Sequence, residues 1–152
     1  MKNANQQGIR RMIVANMMTE CEAVLNSGEP LIKAISLMAA QKARLIPVID
    51  SCGSIAGVVS AASIVSAAFA SSGHDGLAGF ISREAGSPVD GFMDRDFITV
   101  APEAGIQALS PIFSGKAVSA VLVVDHAKRP LGIIRPTDVL KRLCEYSERK
   151  KR

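Results

Sequence analysis

The sequence lacks the short motifs by which most enzymes and metalloproteins are identified. It contains no glycine-rich phosphate loop of the P-loop or dinucleotide type, and its serine, histidine and aspartate residues form no nucleophile-elbow motif. The two histidines, His74 and His126, have no carboxylate or cysteine partners at the spacing of metal ligands. These absences predict a protein that is not an enzyme and that holds no metal ion.

Cysteine and aromatic residues are also scarce. Cys21, Cys52 and Cys144 are widely spaced and form no C-x-x-C pair, so they favour packing as small hydrophobic residues in a reducing cytoplasm over disulfides. Aromatic residues make up 4% of the chain and tryptophan is absent, whereas 48% of the residues are hydrophobic. The core must therefore consist of alanine, valine, isoleucine, leucine and methionine. The N-terminus has no apolar segment of a signal peptide, so a cytoplasmic location is expected.

Charge is absent from the long stretch 51–73, which resembles a membrane span at first sight. The stretch is rich in serine, alanine and glycine, which contribute little to membrane insertion. We therefore interpret it as a buried strand followed by a packed helix, and no membrane partner is expected. The connection that follows, residues 71–88, contains an apolar block at 77–81 that either extends this helix or forms a separate one.

Positive charge is concentrated at the two ends of the chain. Of the net charge of +4, residues 1–12 contribute +3, residues 141–152 contribute +4 and residues 13–140 contribute −3. A nucleic-acid-binding face on the body is therefore not expected. In a weaker alternative, the tail 149–152 binds nucleic acid; its affinity would then be salt-sensitive and lost on truncation at Tyr146.

The chain contains one motif twice, with a constant offset between the two copies. Residues 45–65 predict a strand, a four-residue turn, a second strand and the start of a helix, and residues 120–140 repeat this order without a gap. Gly57 of the first copy corresponds to Gly132 of the second. A unit of this size cannot bury its own apolar face, so we expect the two copies to pack on each other.

A further helix is predicted upstream of each hairpin. Pro30 opens the first of these helices, and Pro102 opens the second. Gly105 and Pro111 weaken the second helix, because a proline inside a helix removes a hydrogen bond and clashes with the preceding turn, so we expect it to be short or kinked. The apolar positions are Leu31, Ile35 and Met38 in the first helix and Ile106, Leu109 and Phe113 in the second.

Each upstream helix is preceded by an apolar lead that ends in methionine. The first lead ends at Met18 and the second at Met93, with the same offset that separates Gly57 from Gly132. Short strands are predicted to follow near residues 23–25 and 97–100. Each half of the chain therefore reads as lead, strand, helix, strand, strand and helix.

This order, with a Pro-Val-Ile-Asp strand and a Gly-hydrophobic-hydrophobic-Ser-x-x-Ser turn, resembles the CBS domain pair, also called a Bateman module. The resemblance implies an α+β fold of tandem CBS domains, in which two β-α-β-β-α repeats pack about a pseudo-two-fold axis. The expected divisions are a flexible N-terminal lead-in over 1–12, the first CBS repeat over 13–70, a connection over 71–88, the second CBS repeat over 89–146 and a basic tail over 147–152.

The resemblance also implies a regulatory module. Members of the family bind adenosine-containing ligands, among them AMP, ADP, ATP, NAD and S-adenosylmethionine, in clefts between the repeats and report binding to another protein. An adenine nucleotide or S-adenosylmethionine is therefore the expected regulatory ligand, with no catalytic cofactor. The sequence contains no effector domain, so an unidentified effector protein is expected. A homodimer formed through helices is also expected, with the uncharged helix 60–70 as one candidate face.

The family pattern further implies which residues contact the ligand. Asp138 in the second repeat, and Ser60 and Ser63 in the first, are expected to hydrogen-bond ribose hydroxyls. Arg135 and Arg44 are expected to contact phosphate. The full set of predicted ligand-binding residues is Asp138, Thr137, Arg135, Thr99, Val100, Ser60, Ser63 and Arg44, with Thr99 and Val100 acting through main-chain groups.

The two turns depart from the family pattern in opposite ways. Arg135 stands where the second repeat would carry a hydroxyl, and Ser63 stands where the first repeat would carry a carboxylate. The cleft at Asp138 is therefore the preferred site. Helix capping alone also explains these side chains, because Ser60 is a suitable N-cap and Asp138 falls near the N3 position of its helix. A structural or interaction protein with vestigial clefts thus remains the alternative.

Overall fold

The computed structural model describes residues 8, 12–71, 73–115, 118 and 120–151. Most of the predicted lead-in over 1–12 therefore lies outside the described residues, as does residue 152. The strands are β1 (Thr19–Glu20), β2 (Leu25–Asn26), β3 (Leu45–Ile49), β4 (Ile55–Ser60), β5 (Thr99–Val100), β6 (Val121–Val124) and β7 (Pro130–Ile134). The α-helices are α1 (Leu31–Gln41), α2 (Ala61–Ser71), α3 (Gly76–Glu84), α4 (Ser110–Gly115) and α5 (Pro136–Lys151), and the 3-10 helices are η1 (Val14–Asn16), η2 (Val89–Phe92) and η3 (Ile106–Leu109).

The chain divides into two compact units, and each unit takes segments from both sequence repeats. The central unit consists of Cys21–Phe97, and the terminal unit combines Met1–Glu20 with Ile98–Arg152. The lead of the first repeat, which contains η1, and the strand β1 that follows it therefore belong to the terminal unit. The lead of the second repeat, which contains η2, belongs to the central unit.

A three-stranded sheet lies at the centre of the central unit. Strand β2 is parallel to β3, and β3 forms an antiparallel hairpin with β4. Asp50 organises the hairpin turn, because its carboxylate accepts hydrogen bonds from the main-chain N–H groups of Cys52 at 2.9 Å and Ser54 at 3.1 Å. The buried core consists of Leu25, Leu31, Ala34, Ile46, Val48, Val59, Ile64, Ala68, Phe80 and Val89.

A four-stranded sheet in the order β1-β7-β6-β5 lies at the centre of the terminal unit. Strand β5 is parallel to β6, β6 forms an antiparallel hairpin with β7, and β1 pairs antiparallel with β7. Asp125 repeats the role of Asp50 by accepting hydrogen bonds from two main-chain N–H groups, each at 2.9 Å. The buried core consists of Val14, Met17, Leu109, Val123 and Ile134, so the first lead contributes directly to this core.

The methionine at the end of each lead packs against a hairpin glycine. A Cβ atom added to Gly132 would lie 2.7 Å from the Sδ atom of Met18 and 2.7 Å from the carbonyl oxygen of Thr19. A Cβ atom added to Gly57 would lie 2.6 Å from the Sδ atom of Met93. Only glycine leaves room for this approach, and the pairing explains why both the methionine and the glycine recur at the same offset.

The second lead is also tied to the central unit by a carboxylate. Asp90 in η2 accepts a hydrogen bond from the hydroxyl of Ser27 at 2.5 Å and another from the N–H of Gly28 at 2.6 Å. The hydrogen bond from Ser27, followed by that from Gly28, holds the pKa of Asp90 below its ordinary value. The carboxylate is therefore ionised at neutral pH and links η2 to the turn after β2.

Most predictions of local structure are confirmed. The upstream helix of the second half is short and interrupted, since η3 precedes the six-residue α4, with Pro111 in its first turn. It begins at Ile106 after the N-cap Gly105, so the prediction that Pro102 opens it is wrong. The charge-free stretch 51–73 forms β4 and α2. None of the helices in the described part of the chain is long and apolar enough to span a membrane. The predicted strands near 23–25 and 97–100 are the shorter β2 and β5, and β1 is an element that the sequence did not predict.

The connection between the halves contains a helix of its own. The apolar block 77–81 lies in α3, which is separate from α2. Phe80 of this helix is 1% exposed, and its ring packs against the Phe92 ring in a T-shaped arrangement with centroids 6.1 Å apart. The helix α3 is therefore part of the core of the central unit.

Candidate functional site

The first turn of α5 holds the carboxylate that the sequence singled out. The helix begins at Pro136, so Asp138 occupies position N3, as predicted. Its Oδ2 atom accepts a hydrogen bond from the main-chain N–H of Arg135 at 2.8 Å, and its own N–H donates to the Arg135 carbonyl at 3.0 Å. This is one half of a capping box. The second carboxylate oxygen, Oδ1, takes no part in this bond, and the side chain is partly exposed.

Asp138 lies in a cleft between α5 and the lead of the first repeat. This space, which we name the Asp138 cleft, has a volume of about 210 Å³. That volume is below the roughly 300–1,000 Å³ of typical small-molecule pockets, so the cleft encloses only a part of a nucleotide, such as its sugar. The lining residues are Asn16, Met17, Met18, Thr19, Asp138, Lys141, Arg142 and Glu145.

The charges of the Asp138 cleft are partly compensated within it. The guanidinium of Arg142 forms an ion pair with Glu145, with an Nη1 to Oε2 distance of 3.2 Å. Lys141 forms no ion pair with any side chain among the described residues. The cleft therefore offers one carboxylate oxygen and one ammonium group to a ligand.

The equivalent turn of the central unit is arranged differently. The Oγ atom of Ser60 accepts a hydrogen bond from the N–H of Ser63 at 3.0 Å, and the two hydroxyl oxygens lie 2.7 Å apart. Ser60 is thus the N-cap of α2, as the sequence indicated. The carbonyl of Arg44 accepts a hydrogen bond from the N–H of Ala61 at 2.9 Å, which places the main chain of Arg44 at the same turn.

Thr99 and Val100 lie in β5, where they pair with Leu122 and Val123 of β6, and they do not line the Asp138 cleft. They line a second, smaller cleft of about 140 Å³ at the end of β5 and β6. Strand β7 starts at this end, because Val124 pairs with Pro130, and Asp138 follows the other end of β7. Thr99, Val100 and the predicted ribose acceptor Asp138 therefore line two different clefts of the terminal unit. Thr137 and Arg135 flank Asp138 in the chain but do not line the Asp138 cleft.

Two groups of cleft residues were missed by sequence reasoning. Lys141 and Arg142 follow Asp138 by three and four residues, so helical periodicity was an available signal for a shared face. For Asn16 and Thr19 no local signal exists, because they reach the cleft through the pairing of β1 with β7. Within the described residues, no group of three or more histidine, cysteine, aspartate or glutamate side chains could hold a metal ion.

Comparison with known protein families matches the chain twice. The model of the CBS domain matches residues 14–70 and 89–145, which together make up more than half of the chain. The chain belongs to the CBS-domain family. Its expected α+β fold of tandem CBS repeats is thereby confirmed. The exact extents of the repeats stay a prediction, because the compact units of the CBS pair cross them.

Solved structures of other CBS proteins resemble this CBS pair over most of its length. A CBS domain-containing protein of unknown function from Bacillus anthracis is 19% identical, with a TM-score of 0.78 and coverage of 92% of this chain and 98% of the other. CBSX2, a CBS-pair protein of Arabidopsis thaliana, is 21% identical in its complex with AMP, with a TM-score of 0.72 and coverage of 90% and 98%. These likenesses show the fold.

A third structure carries different adenosine ligands. The CBS domain pair of protein MJ0100, in complex with 5′-methylthioadenosine and S-adenosyl-L-methionine, is 16% identical to this CBS pair. Its TM-score is 0.68, and the match covers 89% of this chain and 98% of the other. Phosphorylated and unphosphorylated adenosine compounds are thus both bound by proteins of this fold.

One curated relative is a larger protein. Homoserine O-acetyltransferase of Methanococcoides burtonii is 27% identical to the CBS pair over 126 residues. The match covers 83% of this chain but only 23% of the relative. The CBS pair thus spans less than a quarter of the length of the curated relative that it matches.

Proposed function

We propose that this CBS pair is a regulatory module that binds an adenosine-containing ligand at the Asp138 cleft. The observation that carries the proposal is the half-engaged carboxylate of Asp138. One of its oxygens caps α5, and the residue lines a cleft in a fold whose relatives bind AMP, 5′-methylthioadenosine and S-adenosylmethionine. A carboxylate oxygen accepts two hydrogen bonds, which suits the adjacent hydroxyls of a ribose. The ligand acts as a signal rather than as a catalytic cofactor.

Ligand binding at this cleft would stabilise the short strand β1 in its pairing with β7. The cleft is formed on one side by α5 and on the other by residues 16–19, which include the start of β1. Strand β1 has only two residues, so its pairing with β7 contributes little by itself. A ligand that contacts both sides favours the paired state of the lead by its differential affinity for that state. An effector protein would then recognise whether this segment is ordered.

A thermal-shift panel with AMP, ATP, NAD and S-adenosylmethionine tests the proposal. A ligand present at about 100 times its dissociation constant adds roughly 2.7 kcal/mol to the free energy of unfolding, which raises Tm by several degrees at this chain length. We expect Asp138→Ala to abolish the shift. Ser60→Ala is the matched control, because it removes a helix cap in the central unit and leaves the Asp138 cleft unchanged.

Each result of this panel has a defined meaning. Ser60→Ala is expected to lower stability by about 1 kcal/mol, as the loss of an N-cap does, while it keeps the full ligand shift. A ligand shift that survives Asp138→Ala would place the site elsewhere. The absence of a shift with all four compounds would remove the support for ligand sensing.

A specific observation favours the alternative of an interaction protein with a vestigial cleft in the central unit. The hydroxyls of Ser60 and Ser63 satisfy each other and the helix N-terminus, so capping accounts for both. Leu140 and Val65, which occupy the same repeat position, are 64% and 52% exposed on α5 and α2. These exposed side chains are compatible with the expected homodimer, which stays a prediction. Light scattering that gives a monomer at micromolar concentration would count against it.

A further inference from the structure

We propose that the Asp138 cleft selects phosphorylated over unphosphorylated adenosine ligands, with Lys141 as the residue that determines this selectivity. The inference rests on the proposed function and deepens it, since it names the chemical class of the ligand. AMP would then be preferred to adenosine and to neutral thioether derivatives. The cation responsible differs from both arginines that the family resemblance implied, Arg135 and Arg44.

The charge inventory of the cleft carries the argument. Arg142 and Glu145 neutralise each other at 3.2 Å, and Asp138 is engaged at one oxygen by the helix N-terminus. A ribose on the remaining oxygen of Asp138 leaves the ammonium of Lys141 as the one lining charge with no counter-ion among the described residues. An exposed ammonium with three donors is a suitable partner for phosphate oxygens.

The spacing along α5 fits a nucleotide. Asp138 and Lys141 are three residues apart on the helix, which places their Cβ atoms about 5–6 Å apart on one face. Both residues line the same cleft. A ribose held by the carboxylate therefore carries its 5′ substituent within reach of the lysine side chain, which is long and flexible. Asp138 would thus bind the ribose and Lys141 the phosphate, from within one turn of the same helix.

The equivalent helix of the central unit shows that the fold does not require these charges. Helix α2 carries no charged residue, whereas α5 carries charges at the corresponding positions. At the offset that relates Gly57 to Gly132, the residues Asp138, Lys141, Arg142 and Glu145 correspond to Ser63, Ser66, Ala67 and Ala70. Both helices follow a hairpin of the same design. The fold therefore does not require the four charged residues with which α5 lines the Asp138 cleft.

Calorimetric titration with adenosine and AMP at low ionic strength tests this inference. We expect AMP to bind about fivefold more tightly than adenosine, which is the upper range for an exposed ion pair. Added salt should reduce this ratio, because it screens exposed charges. In Lys141→Ser the ratio should fall close to one, because the affinity for AMP falls more than the affinity for adenosine.

A matched control moves the lysine to the equivalent position of the other helix. Both Lys141 and Ser66 are exposed, and the double variant Lys141→Ser/Ser66→Lys has the composition and net charge of the original chain. We expect it to behave like Lys141→Ser. A preference for AMP that persists in either variant would overturn the inference and assign the effect to net charge or to another residue. Equal binding of adenosine and AMP by the original chain, or failure of both compounds to bind, would overturn the inference, whereas the proposed function falls only when all four compounds of the thermal-shift panel give no shift.

Discussion

Two side chains at the starts of equivalent helices show how single residues distinguish the two halves. Ser60 uses its hydroxyl to accept from the N–H of residue 63, and Asp138 uses its carboxylate to accept from the N–H of residue 135. Each helix therefore has one half of a capping box, and the halves are complementary. The carboxylate of Asp138 is charged and has a second oxygen that takes no part in the cap. The hydroxyls of Ser60 and Ser63 are uncharged and are paired with each other. The difference in expected ligand affinity follows from this exchange of residue types.

At the same scale, we expect Gly132→Ala to destabilise the terminal unit by about 1–3 kcal/mol, as overpacking does. The new methyl group would lie 2.7 Å from the carbonyl oxygen of Thr19, which belongs to the backbone and has little freedom to move. Chemical denaturation measures the loss. The control is Gly86→Ala, since a Cβ atom at Gly86 meets nothing within 4 Å. Equal stabilities of the two variants would show that the lead does not pack as described.

At the scale of elements, α3 makes the connection between the repeats a folded part of the central unit. The sequence marked residues 71–88 as a link because serine and glycine are frequent there. The structure places one apolar side chain of this segment, Phe80, inside the core of the central unit against Phe92. An arginine of α3 also reaches back to α2, since Arg83 donates to the carbonyl of Ser71 at 3.3 Å. The helix thus completes the central unit as well as connecting the repeats.

We therefore expect Phe80→Ala to lower the free energy of unfolding by about 3–5 kcal/mol, the range for deleting a buried phenylalanine side chain. The matched control on the same helix is Leu77→Ala. Leu77 is 48% exposed, so its truncation should cost less than about 1 kcal/mol. Urea denaturation of both variants makes the comparison. A Phe80→Ala variant as stable as Leu77→Ala would mean that α3 is only a linker.

At the scale of the whole molecule, the compact units and the sequence repeats are different divisions of the chain. The core of the terminal unit includes Val14 and Met17 from the start of the chain, and the core of the central unit includes Val89 from the second repeat. The core of the central unit, which contains the hairpin of the first repeat, includes the lead of the second repeat. The core of the terminal unit, which contains the hairpin of the second repeat, includes the lead of the first repeat. A single repeat therefore lacks some of the apolar side chains against which its hairpin and helices pack.

This division predicts which fragments fold. The fragment 21–97 contains the complete core of the central unit and should unfold cooperatively in urea, as followed by circular dichroism. The fragment 1–75 contains the whole first repeat but lacks Phe80 and Val89, and should show a shallow, non-cooperative transition. Fragment 76–152 lacks Val14 and Met17 and should behave similarly. Cooperative unfolding of 1–75, together with a disordered 21–97, would reverse the assignment of the leads.

Local signals in the sequence were sufficient to predict the repeat, the hairpins and the helices. Alternating and helical periodicities report which face of an element is apolar, and this information is contained within a few neighbouring residues. The effect of Pro111 on the second upstream helix was predicted for the same reason. The tandem CBS fold followed, because the ordered motifs occur twice. The roles of Ser60, Ser63, Arg44, Thr99 and Val100 in ligand binding stay predictions.

The periodicity and the constant offset between the two copies by themselves determined the paired hairpins and the N3 position of Asp138, and the resemblance to the CBS pair that these motifs carry implied the α+β class. Only the tertiary structure decided which lead joins which unit, that α3 belongs to a core, and that Lys141 shares a cleft with the first lead. Local propensity contains no information about these contacts, because they join segments far apart in the chain. They form where burial of apolar side chains such as Val14, Met17 and Phe80 offsets the entropy of ordering those segments.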